Sequence, residues 1–245
     1  MFPIRDHNPS ASIPYVTYGL ILINVAVFLA TWDYGPRQMQ QLFLHYGLRP
    51  AQFFAGQGYS SLFTTMFLHA GFMHLAGNML YLWIFGDNLE DMLGHRRFLM
   101  FYMASGVGAA LFHLVSDPWS LVPMVGASGA IAGVLGAYML LYPKARVDVL
   151  FFFGVFFKIW PIRAWLVLGL WFGLQLLNGY GAQTDSTGTA YWAHIGGFIV
   201  GALLILPKWW AFGGRAYWAR AGSKPKQPES PDFRRSSIPI IKRRR

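Results

Sequence analysis

Four polar side chains stand out because their neighbours are apolar. They are Ser128 in GASGA, His194 in AHIGGFIVG, and the pair His74 and Asn78 in HAGFMHLAGN. A serine hydroxyl becomes a nucleophile when a neutral imidazole within hydrogen-bond reach takes its proton. The oxyanion that follows needs donors, and uncharged His and Asn side chains supply them without a fixed charge. Ser128 follows a loop and opens an apolar run, which predicts a helix start. Backbone N–H groups there lack intrahelical partners, and the positive end of the helix dipole lies beside them. Gly126 and Gly129 leave room for a substrate backbone to approach. The chemistry this set could perform is acyl transfer. Ser128 is the expected nucleophile and His194 the base, with the Ser128 N–H, His74 and Asn78 around the oxyanion.

Helical spacing supports the grouping. Positions 194, 197 and 201 share one face, so His194 lies on the surface where Gly197 and Gly201 admit a neighbouring helix. His74 and Asn78 are four residues apart and point the same way. His69 falls about 140° from His74 on a helical wheel and is expected to support the loop. Two blander readings stand beside these: Gly129-x-x-x-Gly133 is a helix-packing motif in its own right, and a buried histidine can be a satisfied core residue. A metal centre of His69, His74 and His194 is not expected, because no carboxylate falls in a span core and the partner of His74 is an amide. Asp117 and Asp185 belong to outer loops, so a Ser–His dyad is expected, without an acidic third member. The chain has no cysteine, and no cofactor is expected.

The elements that must position these groups are membrane helices. Of 245 residues, 55% are hydrophobic and only 12% charged, about half the charge of a soluble domain. Six apolar spans run approximately over 14–32, 62–85, 98–115, 125–142, 161–178 and 190–206. The stretch VLFFFGVFF, 149–157, is too short to cross as a helix and is expected to lie at the interface. Trp32, Tyr34, Trp119, Trp160, Trp209 and Trp210 sit near span ends, at headgroup depth. The expectation is an all-α membrane protein with a long first outer loop, 33–61. It divides into a short N-terminus (1–13), a six-helix domain (14–206) and a basic, disordered tail (207–245).

Charge sets the orientation. The chain carries a formal net charge of +10, but from Pro207 onward there are 11 Lys/Arg against 2 Asp/Glu. The excess therefore belongs to the tail and does not indicate a nucleic-acid surface; its expected neighbours are the cytoplasm and lipid headgroups. With both termini cytoplasmic, only Arg37 and Arg49 lie outside, which satisfies the positive-inside bias. Spans two, four and six then run inward, placing His74, Asn78, Ser128 and His194 in the outer half of the bilayer.

GASGA, AHIGGFIVG and HAGFMHLAGN, on spans four, six and two, resemble the rhomboid intramembrane serine proteases. Gly86-x-x-x-Glu90-x-x-x-Gly94-x-x-x-Phe98 resembles that family's connection between helices two and three, so the likeness covers about 14–206. It implies a rhomboid-type bundle, Ser128 as nucleophile, His194 as base and His74 and Asn78 at the oxyanion. It also implies Glu90 as a structural residue at the cytoplasmic end, and single-span membrane proteins as substrates. The expected location is a bacterial plasma membrane, with the site open to the outer side. Two positions depart from the family. Ala132 stands where many members carry an aromatic that stacks on the histidine, and Tyr59-Ser60-Ser61 stands where many carry a Trp-Arg pair. A non-catalytic relative that binds membrane helices is the alternative function. A transporter is disfavoured, because the inner halves of spans two, four and six are apolar.

Overall fold

A computed structural model describes residues 2–154, 156–181 and 190–220. Six helices of 14 to 22 residues correspond to the six apolar runs. They are α1 (Tyr15–Ala30), α5 (Phe72–Leu93), α6 (His95–Ser116), α7 (Ser128–Leu141), α8 (Ala164–Gly181) and α9 (Tyr191–Ala211). Among the described residues, α6 and α9 are each long and apolar enough to cross a membrane; α1 and α7 are apolar but shorter. The first loop is itself helical, with α2 (Pro36–Tyr46), α3 (Pro50–Phe54), α4 (Ser61–Thr64) and a 3-10 turn at Thr65–Phe67. The run expected to begin a span at residue 62 therefore breaks into short turns, and α5 starts only at Phe72.

The chain is not all-α. Residues expected at the interface form a hairpin, β2 (Arg146–Phe153) and β3 (Phe156–Arg163), and β1 (Phe2–Asp6) adds to it in the order β1-β2-β3. All three strands are antiparallel, with Asp6 opposite Val147 and Val149 opposite Trp160. β-Branched and aromatic residues favour the pleated surface, and Gly154 takes φ +64° at the hairpin tip. Pro161 lies on β3, an edge strand, where its missing N–H costs no ladder bond. Pairing satisfies backbone groups that a helix too short to cross would leave open at its ends.

The domain edge expected at residue 206 falls inside α9, which runs through Pro207 to Ala211 and is followed by α10 (Arg215–Arg220). α10 docks on the end of α7: the Trp218 indole donates to the Leu140 carbonyl at 2.8 Å, and Lys144 donates to the Trp218 carbonyl. Aromatic residues 209, 217 and 218 pack on the core there, so the start of the basic stretch is folded. Residues 221–245 of the expected tail, and Asp185, lie outside the described residues.

The end of α5 gathers the N-terminal segment. α1 has no side-chain cap of its own, and its open N–H groups need acceptors. Glu90, fully buried, accepts from the Val16 and Thr17 N–H groups at 2.8 and 2.7 Å, and from the Thr17 hydroxyl at 2.8 Å. His95 Nδ1 lies 2.6 Å from Oε1, the oxygen that also takes the Val16 N–H. Asp91 accepts from the Ala11 and Ser12 N–H groups, and Asp87 from the Ser10 hydroxyl. Beside them, Asp6 accepts from the Tyr138 hydroxyl at 2.6 Å and from Asn88 at 3.1 Å.

The centre of the bundle is α6, α7 and α9, with α7 against α9 the most extensive contact. Gly197 and Gly201 on α9 lie so close to the backbone of Gly129 and Gly133 on α7 that a methyl group at either would overlap a carbonyl. Gly136 meets the Phe198 backbone in the same way. α6 joins through Gly108, against Val200, and Ser105, against Gly133.

Two outcomes follow from the network around Glu90 and Asp6. Glu90→Gln places an amide NH₂ against N–H donors, so thermal unfolding in detergent should show a loss of roughly 1.5–3 kcal/mol, the range for hydrogen bonds to a charged group. Burial pushes the Asp6 carboxyl up to about 7 despite its bond from Tyr138, with the Asp87 charge adding to the rise. The folded state therefore disfavours ionised Asp6, and stability from this group is lost as pH rises from about 4 through 7. Asp148 has the opposite sign: burial raises it, but hydrogen bonds from His7 and Arg5 outweigh that and hold it below the ordinary range. Asp6→Asn keeps an acceptor for Tyr138. It should unfold at a higher temperature than wild type at pH 8, by on the order of 1–2 kcal/mol, with the gap closing toward pH 4.

Candidate active site

Ser128 is the first residue of α7, as expected, and Ala127 before it offers no side-chain cap. The N–H groups of the first turn are therefore open near the hydroxyl. The approach to Ser128 is pinned from the first loop. Leu48 and Met124 exchange backbone bonds at 3.0 and 2.8 Å, the Thr65 hydroxyl donates to the Met124 carbonyl at 2.5 Å, and Gly126 N–H donates to the Thr65 carbonyl at 2.9 Å. Gly126 takes φ +130°, and the space where its side chain would stand is filled by the His74 imidazole, within 2.9 Å. Only glycine fits both demands.

His194 sits in the first turn of α9, and its Nε2 lies 2.7 Å from Ser128 Oγ. The glycine contacts of α7 with α9 set that distance, because backbones in touch leave no slack between the two side chains. The packing motif and the chemical group thus coincide: Gly129 and Gly133 are packing residues, and the serine rides on the helix they hold.

His74 and Asn78 line the same cavity as Ser128 and His194. The cavity holds about 520 Å³; apolar side chains including Met73, Tyr81, Ile131 and Leu135 form much of its wall. Asn78 is buried, and its Nδ2 lies 2.9 Å from His69 Nε2. His69 precedes α5, so the angle expected on a wheel has no meaning there. It reaches the site from the loop, its ring 5.1 Å from that of His74, and holds the amide that faces the cavity. Glu90 is far along α5 from His74, in the network already described.

Two residues of α8 escaped the sequence reading. Gln175 Oε1 lies 2.8 Å from His194 Nδ1. Trp171, one turn earlier, places its ring 5.9 Å from the imidazole at an interplanar angle of 35°. Ala132, which leaves α7 without an aromatic at that point, lines the cavity together with Trp171. A signal for Gln175 was present: between Ala164 and Leu177 it is the one hydrogen-bonding side chain besides tryptophan, and polar groups at such depth are costly unless used. No group of three or more His, Asp or Glu that could hold a metal occurs among the described residues.

Comparison with known proteins places the chain in a family. Residues 56–211 match the rhomboid domain family. The chain is 34% identical over 202 residues to rhomboid protease GluP of Bacillus subtilis, covering 82% of this chain and 37% of that one. It is 34% identical over 192 residues to the mitochondrial rhomboid protein 1 of Saccharomyces cerevisiae, covering 77% and 51%. Rhomboid protease AarA of Providencia stuartii is 32% identical over 155 residues, covering 58% and 53%. The chain thus spans between about a third and a half of the length of these relatives. With its helices, its cavity and these matches taken together, the chain belongs to the rhomboid family of helical membrane proteins.

Proposed function

We propose that this protein is an intramembrane serine endopeptidase that cleaves single-span membrane proteins in or beside their helices. The observation that carries this reading is the 2.7 Å approach of His194 Nε2 to Ser128 Oγ at the start of a helix, on the wall of a cavity. Its relatives include proteins named as rhomboid proteases from two bacteria. In this reading the six long helices are six crossings with both termini cytoplasmic, the catalytic domain runs from about residue 14 to the end of α9 at Ala211, and the folded first loop lies on the outer side. The setting is a bacterial plasma membrane, where the site opens outward.

The reaction is derived from the positions of the groups. A substrate helix unwinds locally, its freed backbone groups finding partners in the cavity or in water. Ser128 Oγ attacks the carbonyl carbon while His194 Nε2 takes the hydroxyl proton. The carbonyl oxygen, now negative, meets the Ser128 N–H and the side chains of His74 and Asn78. His194 returns the proton to the amine as the C–N bond breaks, leaving an acyl-enzyme. Water then attacks the ester, with His194 as base again. The first-turn amides need no rearrangement to serve, because the helix has no other use for them.

A panel of single-span proteins reconstituted with wild type and with Ser128→Ala tests this. Wild type should release products with termini mapping to or beside the span and should react with a serine-directed fluorophosphonate. Ser128→Ala should lose at least about 10³-fold in cleavage rate and take up no label. Equal cleavage by the two proteins defeats the proposal. Binding of the panel by wild type without cleavage or label would favour a helix-binding relative without catalysis.

A further inference from the structure

The imidazole that faces Ser128 is held on two other sides, both by α8. Gln175 is buried, and its Oε1 lies 2.8 Å from Nδ1 of His194. An amide oxygen only accepts, so Nδ1 must carry the ring proton when the two are bonded. Nε2 is then left with its lone pair 2.7 Å from the Ser128 hydroxyl, the one arrangement in which it can take a proton. With the amide turned over, its NH₂ would donate to Nδ1 and force the proton onto Nε2. The ring would then face Ser128 as a donor and could not act as base.

Trp171 and Gln175 are four residues apart and so share a face of α8. The tryptophan lies against the imidazole and also against Phe198, 6.2 Å between centroids. One helix therefore grips the ring by its edge and its face. The choice of an amide also has a physical reason. An ionised carboxylate here would be a buried charge among apolar helices, whereas an amide accepts the same bond while neutral.

We propose that Gln175 is a positioning residue that fixes the proton of His194 on Nδ1, making Ser128–His194–Gln175 a neutral three-member relay with Trp171 as its lateral support. This rests on the proposed roles of Ser128 and His194.

The test compares Gln175→Leu, Gln175→Met and Gln175→Glu with wild type, on the monodisperse folded fraction in detergent. It measures kcat, KM and the rate of fluorophosphonate labelling. Leu and Met keep the bulk but lose the acceptor, and Glu keeps the acceptor. The expected result is a fall in kcat and labelling of about 10- to 100-fold for Leu and Met, with KM within about twofold. Glu should stay within about tenfold of wild type. A purely structural role predicts the reverse order, since a buried carboxylate would be tolerated least and an apolar residue of similar volume most. Leu and Met at wild-type rates, or Glu worse than both, overturns the inference. Ser128-dependent cleavage with an indifferent Gln175 series removes the positioning role alone; cleavage that survives Ser128→Ala removes the parent reading and this one together.

Discussion

Backbone contact between α7 and α9 is the constraint from which the rest of the site follows. Helices in hydrocarbon gain nothing from hiding apolar surface from one another, so small residues that let backbones touch carry the association. Gly129, Gly133 and Gly136 on one side meet Gly197, Gly201 and the Phe198 backbone on the other. Helices in such contact cannot slide or roll by even a methyl radius without a clash. A hydrogen bond of 2.7 Å between side chains in their first turns requires that kind of tolerance. The glycines are thus as necessary to the Ser128–His194 distance as the two residues themselves, though none touches it.

At the opposite end, the bundle is closed by charge. Glu90 does for α1 what a capping residue would do from within the helix, and Asp87 and Asp91 on the same face of α5 collect the residues before it. Lys208 of α9 donates to the Met92 carbonyl at the same level. Acidic side chains are expensive at bilayer depth but cheap at its edge, where Arg5 and His7 can meet Asp148 across the sheet. Separation follows: ionised groups tie the elements together at one end, and the other end is left free for neutral chemistry.

Much of this is legible in the amino-acid sequence, for identifiable reasons. Ser128 announced itself by opening a helix after a glycine loop, and His194 by sharing a face with two glycines; both are local patterns with a fixed period. Three things were hidden. The sheet was hidden because an aromatic run such as VLFFFGVFF fits an interfacial segment equally well until it is seen to fold back on itself as β2 and the start of β3, with β1 alongside. The start of α5 was hidden because Leu62–Leu68 is as apolar as a span, yet hydrogen bonds to the first loop and to Met124 tie it in short turns. Gln175 was hidden because its partner is 19 residues away on another helix. An amide in an apolar run also lacks the charge by which a carboxylate would mark a third member.

The neutrality of Gln175 bears on how a polar site persists inside an apolar bundle. Every polar atom buried there carries a cost unless another polar atom meets it. Here the site's members meet each other: Gln175 with His194, His194 with Ser128, Asn78 with His69, and Gly126 N–H with the Thr65 carbonyl. None of these groups needs a formal charge at rest, so the bundle bears no Born penalty between turnovers. Under the proposed mechanism, charge arises only as the proton leaves Ser128, when imidazolium and oxyanion form together a few ångströms apart and attract strongly in a medium of low dielectric. A carboxylate in place of Gln175 would stabilise the imidazolium further, but it would also hold a charge in the resting bundle throughout the cycle. The amide orients the ring without that standing cost. In a chain whose ionised groups gather at the opposite end of the bundle, a neutral relay is the arrangement the surroundings favour.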